Sequence, residues 1–235
     1  MTSARSFVAS DPGTVRTANQ DRLVNAPERG IWAVADGAGG HAGGEFAAEM
    51  LTAALDEVPA GLQPDETLAH IRQTVTAVHA ALQTAASQRG SDIIASTLAV
   101  LLLRAGHFAV LWAGDSRAYL LRGGVLPQIT RDHSLVQALL DRGAIAPHEA
   151  QHHPHANVIT RAIGALDDTG DLDKALGQVM DGDCFLLCSD GLTKALDDAA
   201  IATRLLADDP AEALMSAALS AGARDNVTVV VVRIS

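Results

Sequence analysis

Four aspartates each stand at the lip of an apolar run. Asp36 follows Gly30-Ile-Trp-Ala-Val-Ala35, and Asp115 follows Phe108-Ala-Val-Leu-Trp-Ala-Gly114. Asp190 follows Phe185-Leu-Leu-Cys-Ser189, and Asp225 comes just before Val227-Thr-Val-Val-Val-Val232. Apolar runs of this length read as buried strands. A carboxylate at the end of a core strand loses hydration, which is costly unless a cation or hydrogen bonds compensate. Any one Asp-Gly is ordinarily a turn. Four such acids, three beside a glycine (Gly37, Gly114, Gly191), outline a carboxylate rim suited to hard cations. Oxygen-only ligands without a Cys/His cluster at zinc spacing point to magnesium or manganese. Four of them suit a two-metal site that activates a water between its ions.

Arg16, in Thr14-Val-Arg-Thr-Ala-Asn-Gln-Asp21, could choose the substrate, because a guanidinium beside a turn can grip a phosphate with two hydrogen bonds. A surface arginine paired with an acid is the competing reading. The glycine-dense loop 37–44 lacks the Gly-Lys-Ser/Thr ending of a nucleotide-binding loop. Other phosphate-transfer chemistries leave marks that do not match. A nucleophilic cysteine wants an arginine six residues on, where Asp190 and Lys194 follow Cys184 and Cys188. Asp171-Leu-Asp-Lys-Ala175 lacks both the last residue and the preceding strand of an aspartyl-phosphate motif. The histidines 152, 153 and 155 surround Pro154 in an irregular stretch, as expected of a solvated loop.

The elements that must carry these residues follow from pattern. Val8–Val24 reads as extended, broken at Asp11-Pro12-Gly13, and Gly30–Ala35 as a strand. Helices are predicted at about Glu45–Glu57 and Asp65–Ala86. Strands follow at Ala95–Arg104, His107–Ala113, Arg117–Arg122 and Val125–Thr130, with Ala105-Gly106 and Gly114-Asp115-Ser116 short enough for antiparallel hairpins. Asp132 reads as the N-cap of a helix through Leu140. Residues from Ala144 to about Asp173 read as irregular, and Asp183–Cys188 as a strand. Helices at about Asp198–Leu206 and Pro210–Leu219 precede a last strand, Val227–Ile234. Antiparallel strands with helices clustered between them indicate an α+β layered fold, in which strand ends and starts can bring the four aspartates to one edge.

Composition narrows the function classes. The 235 residues are 48% hydrophobic but only 3% aromatic, so the core is built from Ala, Val, Leu and Ile. With no linker or repeat to divide it, a single domain over 1–235 is expected. A net charge of −11 without a basic cluster argues against nucleic acid as a partner. The N-terminus has no apolar signal-like run, and the longest apolar stretch, Ile93 to Leu103, is too short to span a bilayer. Cys184 and Cys188 lie roughly 13 Å apart along one predicted strand, beyond disulfide reach. Buried thiols, a cytoplasmic location and a monomer with no membrane partner are the expectations.

Seven motifs occur in an order that resembles the metal-dependent type 2C protein serine/threonine phosphatases. They are Val15-Arg-Thr-Ala-Asn-Gln-Asp21, Val34-Ala-Asp-Gly-Ala-Gly-Gly-His-Ala-Gly-Gly-Glu45, Ser96-Thr97, Gly114-Asp-Ser-Arg117, Asp132-His-Ser134, Ser189-Asp-Gly191 and Asp225-Asn-Val-Thr228. The likeness, to a stand-alone bacterial member, covers nearly the full chain. It implies a central antiparallel β-sandwich flanked by helix pairs, a four-layer αββα arrangement with the site at one edge. It implies two Mn²⁺ or Mg²⁺ ions bridged by Asp36, with the Gly37 carbonyl, Asp190 and Asp225 completing the pair and Asp115 with Asp190 holding a weaker third ion. Arg16 would grip the phosphate, Asp21 would order waters on the metals, and residues 132–164 would form a flap. The implied reaction is hydrolysis of phosphoserine and phosphothreonine on proteins by a metal-bridging hydroxide. By the same likeness it would oppose a bacterial serine/threonine kinase and act on that kinase or a forkhead-associated-domain protein. One departure stands out: Ala38 follows Asp36-Gly37 where animal members carry a histidine, leaving His41 as a displaced candidate proton donor. A phosphatase-like binding module without turnover and an enzyme of a partner-switching pathway are the rival readings.

Overall fold

The computed structural model describes residues 3–39, 42–89, 93–150, 153–166 and 168–235. Two antiparallel sheets form its centre. The first contains β1 (Ala4–Asp11), β10 (Val227–Ile234), β9 (Cys184–Cys188) and β7 (Arg117–Leu121), in that order. The second runs β2 (Asp21–Ala26), β3 (Ile31–Ala38), β5 (Leu98–Arg104), β6 (His107–Ala113), β8 (Asp173–Gln178), with the two-residue β4 (Ala95–Ser96) also paired to β3. Helices α1 (Ala42–Asp56) and α2 (Pro64–Arg89) lie on the second sheet. The short α5 (Asp190–Ala195), with α6 (Asp198–Arg204) and α7 (Pro210–Ser220), lies on the first. Two small helices, α3 (Leu135–Asp141) and α4 (Pro147–Ala150), belong to the connection between β7 and β8.

Period-two alternation in fully apolar strands builds the four layers. In β3, Ile31, Ala33 and Ala35 enter the core under α1 and α2, while Trp32 and Val34 enter the core between the sheets. In β10, Val229 and Val231 face α7, while Val230 and Val232 face the opposite sheet. Both faces of these central strands are buried, which is why their sequences are continuous apolar runs rather than alternating ones.

Several expectations are corrected. The extended stretch Val8–Val24 is two strands in different sheets, β1 and β2. Gly114-Asp115-Ser116 is not a hairpin: β6 pairs with β5 and β8, whereas β7 pairs with β9 in the other sheet. Those three residues carry the chain across the sandwich. Val125–Thr130 makes only isolated bridges, Arg122 to Val125 and Tyr119 to Gln128. The N-cap of α3 is Ser134, whose hydroxyl accepts from Gln137 N at 3.1 Å, not Asp132. Strand β8 and helix α5 lie where the sequence reading assigned no element.

Candidate metal centre

The acids meet at one end of the sandwich. Asp36 pairs in register with Asp21 across β2 and β3, so two carboxyl-bearing residues face each other where the ladder ends. Asp115 sits at the crossing from β6 to β7, Asp190 opens α5 two residues after β9, and Asp225 stands two residues before β10. Asp36, Asp115, Asp190 and Asp225 line one cleft of about 250 Å³ with Arg16, Gly37 and Lys194.

Polar side chains clamp the backbone that presents them. Thr97 Oγ1 accepts from Asp36 N at 3.1 Å, and both Ser96 Oγ and Thr97 N donate to Asp36 O at 2.9 Å. The Thr97 hydroxyl also lies 2.6 Å from that of Ser116, tying Asp36 to the chain next to Asp115. Gly114 (φ +105°) packs so closely that an added Cβ would lie 2.6 Å from Thr97 Cβ. Asn226 accepts from Gln20 N and donates to the carbonyls of Pro12 and Ala18, fastening the loop that carries Arg16. Ser189 Oγ donates to Asp21 Oδ2 at 2.8 Å and accepts from Thr228 N at 2.9 Å.

Electrostatics sets these acids apart. Asp36 reaches the cleft yet is ringed by protein, and its carboxyl is held well above the usual range by lost hydration, then by Asp21, Asp190, Asp115 and Asp225. Asp21 is pushed up to about 6, chiefly by burial. Asp115 is pushed up to about 7 by burial, then by Asp190 and Asp132. Two of the rim acids are instead turned onto cations. Asp225 accepts from Arg16 Nε and Nη2 at 2.8 and 3.1 Å, and Asp190 accepts from the Lys194 ammonium. As they stand, no three acid, imidazole or thiol side chains among the described residues converge closely enough to clasp an ion.

The residues nonetheless fit divalent ions. Four carboxylates face only two cations in the cleft, and every donor is oxygen, the set that Mg²⁺ and Mn²⁺ prefer. Beneath them Asp21, 2% exposed, keeps Oδ1 buried without a hydrogen-bond partner. Unsatisfied buried carboxylate oxygens are costly, and like charges this close favour protonation unless positive charge is added.

The structure thus brings together Arg16, Asp36, Gly37, Asp115, Asp190 and Asp225, with Asp21 behind Asp36. His41 lies outside the described residues, and Ala38 offers the cleft wall no proton donor. The sequence reading did not single out Lys194, although its spacing of four from Asp190 was a usable signal once a helix starts at Asp190. It also passed over Asn157, which reaches the cleft from segment 132–164.

A family model described as "Protein phosphatase 2C" matches residues 14–221. The chain belongs to the protein phosphatase 2C family. Among solved structures similar to this 2C-family chain is "PppA, a key regulatory component of T6SS in Pseudomonas aeruginosa", with 40% identity, TM-score 0.91 and full coverage of both chains. The catalytic domain of serine threonine protein phosphatase PstP, solved with two manganese ions, has 35% identity and TM-score 0.87, covering 100% of this chain and 99% of that one. Among curated relatives, PstP of Mycobacterium tuberculosis is 38% identical over 229 residues, 94% of this chain. This 2C-family chain spans 43% of that relative's length. Among its described residues, no helix is long and apolar enough to cross a membrane.

Proposed function

We propose that the chain is a Mn²⁺- or Mg²⁺-dependent phosphatase that hydrolyses phosphoserine and phosphothreonine on proteins. The observation that carries this reading is the gathering of Asp36, Asp115, Asp190 and Asp225 around one cleft with Arg16 at its mouth. Asp36, the Gly37 carbonyl, Asp190 and Asp225 would hold two ions. The chemistry supplied by two such ions is polarisation of the phosphoryl group and activation of water.

The chain's own residues do the rest. Arg16 is half-exposed on a fastened loop, so its guanidinium can leave Asp225 for a phosphate while its backbone stays in place. That exchange leaves the Asp225 carboxylate open to a cation and supplies charge to the phosphoryl oxygens as negative charge builds on them. Thr97 and Ser96 fix the Asp36 backbone, and Asp21, itself held by Ser189, presents an open oxygen behind it.

The chain acts as a single domain in this reading, with residues 132–164 as a flap over the cleft. The stem of that flap is fastened: Leu135 N donates to Val158 O, Thr160 N to His133 O, and Ser96 and Ile163 bond each other's backbones. Only the part between the fastened ends can vary over the cleft, where Asn157 and the neighbouring groove would meet the flanks of a phosphopeptide. The likeness to PppA, named a regulatory component, supports a regulatory task. In this reading the enzyme is a cytoplasmic monomer that opposes a serine/threonine kinase and acts on that kinase or on a forkhead-associated-domain protein. Phosphate release from a phosphothreonine peptide tests the activity. Release should need Mn²⁺, stop with chelator and fall about a thousandfold in Asp36→Asn, a change of about 4 kcal/mol in the barrier. Turnover of Asp36→Asn near that of the parent under saturating Mn²⁺, or no release from any phosphoprotein, would overturn it.

A further inference from the structure

Lys194 stands where three cavities meet. It lines the acid cleft, the groove of about 500 Å³ beneath segment 132–157, and a third hollow of about 510 Å³ beside Arg16 and Arg224. Helix α5 begins at Asp190, so a residue four positions on lies on the same face, and the Lys194 ammonium is bonded to Asp190 Oδ2. The helix is seated hard. Leu192 is fully buried, and Gly191 lies so close to β10 that an added Cβ would be 2.0 Å from Asn226 O. Lys194 therefore cannot withdraw with its helix; only its side chain can move.

The neighbouring cations are committed elsewhere. Arg16 is paired with Asp225. Arg117, next along the chain from the Asp115 corner, is held by both oxygens of Asp132 and by the Tyr119 hydroxyl. Among the described residues of the cleft, Lys194 is the cation left for the corner between Asp190 and Asp115. Its ammonium is bonded to Asp190, and Asp115 and Asp225 line the same cleft.

We propose that Lys194 is a resident third cation of the site: its ammonium neutralises Asp190 and Asp115 from within the chain and keeps a third divalent ion out of the corner between them. The inference rests on the two-ion reading above and limits it. An ammonium in this corner repels a dication brought beside it. The two-ion centre would need Asp190 as well; with that carboxylate taken, Asp115, which lines the same cleft, is the acid left to hold the ammonium in the corner.

The test counts ions rather than turnover. Chelator-stripped protein is titrated with Mn²⁺ while free Mn²⁺ is followed by electron paramagnetic resonance, and thermal melts confirm that each variant folds. The parent should take up two ions, and Lys194→Met should gain a third bound at least tenfold more tightly than any third ion of the parent. Lys194→Arg should stay at two. Asp115→Asn added to Lys194→Met should lose the third ion, placing it at that corner. Equal third-ion affinity in parent and Lys194→Met, or a third ion that survives Asp115→Asn, would overturn the proposal while leaving the two-ion reading intact. A parent that takes up no Mn²⁺ would overturn both.

Discussion

Strand β9 has an aspartate near each end, and the two live in opposite circumstances. Asp183, one residue before the strand, is 1% exposed; it accepts from Arg122 Nε and Nη2 and from Met180 N, each at 2.7 Å. Burial would raise its carboxyl, but the hydrogen bonds from Arg122 and then Met180 overcome this and hold it below the usual range. Asp190, two residues after the strand, joins a group whose members Asp36, Asp21 and Asp115 are all pushed upward. The same secondary structure thus carries a satisfied acid at one pole and a set of mutually repelling acids at the other. A structural carboxylate comes with its own counter-charge and donors; this other group is left short of positive charge, the condition in which added cations are bound.

The contrast can be broken at the satisfied pole first. Asp183→Ala strands the Arg122 guanidinium and the Met180 N–H, and should cost about 3 kcal/mol, lowering Tm by roughly 6–12 °C for a chain of this size. Activity per folded molecule should be unchanged. A melt indistinguishable from the parent would show that the pair contributes nothing. Because the folded carboxyl is depressed, this contribution is present above the ordinary aspartate value of about 3.9 and lost as pH falls through the folded value.

At the crowded pole the signs reverse. Adding Mn²⁺ at about a hundred times its dissociation constant should stabilise the parent by about 2.7 kcal/mol per site, and Asp36→Asn should lose most of that gain while melting no lower than the parent in chelator. The raised carboxyls of Asp21, at about 6, and Asp115, at about 7, bind protons in the folded chain that the unfolded chain has released. Metal-free stability should therefore fall as pH rises from about 4, the unfolded carboxylate value, to 7. Calorimetric scans across that window decide the matter, and metal-free protein that grows more stable toward pH 7 would contradict the repulsion.

A smaller effect tests how the crowded pole is held. His133 Nδ1 accepts from Gly114 N at 3.1 Å, its Nε2 lies 3.2 Å from Asp173 Oδ2, and its ring stacks on Trp112. It therefore joins the stem of segment 132–164 to the Asp115 corner. His133→Ala should cost about 1 kcal/mol and alter Trp112 fluorescence. His133→Asn, whose amide oxygen can replace Nδ1, should recover most of the stability, and equal losses in both variants would remove the Gly114 bond from the account.

What could be read from the chain divides along physical lines. Asp36, Asp190 and Asp225 were legible because continuous apolar runs announce buried strands and an acid at their ends is conspicuous. The gathering at one edge was anticipated, but by the wrong route. A three-residue link such as Gly114–Ser116 looks like a hairpin locally, while the choice of β9 as partner for β7 is made by packing between sheets. Strand β8 was missed because Asp173-Lys-Ala-Leu-Gly-Gln178 has neither an apolar run nor clean alternation; it is a sheet edge, largely exposed. Helix α5 is six residues long, too short for periodicity to declare it, and with it went the pairing of Lys194 to Asp190.

The register of β1 against β10 has a practical outcome. Ala4 lies opposite Ile234 and Asp11 opposite Val227, and Ser3 and Ser235 bond each other's backbones. Asp225 and Asn226, which line the acid cleft, directly precede Val227, so residues 3 and 235 emerge side by side at the far end of this ladder. A tether or surface attachment at either position would hold the molecule with its cleft facing outward.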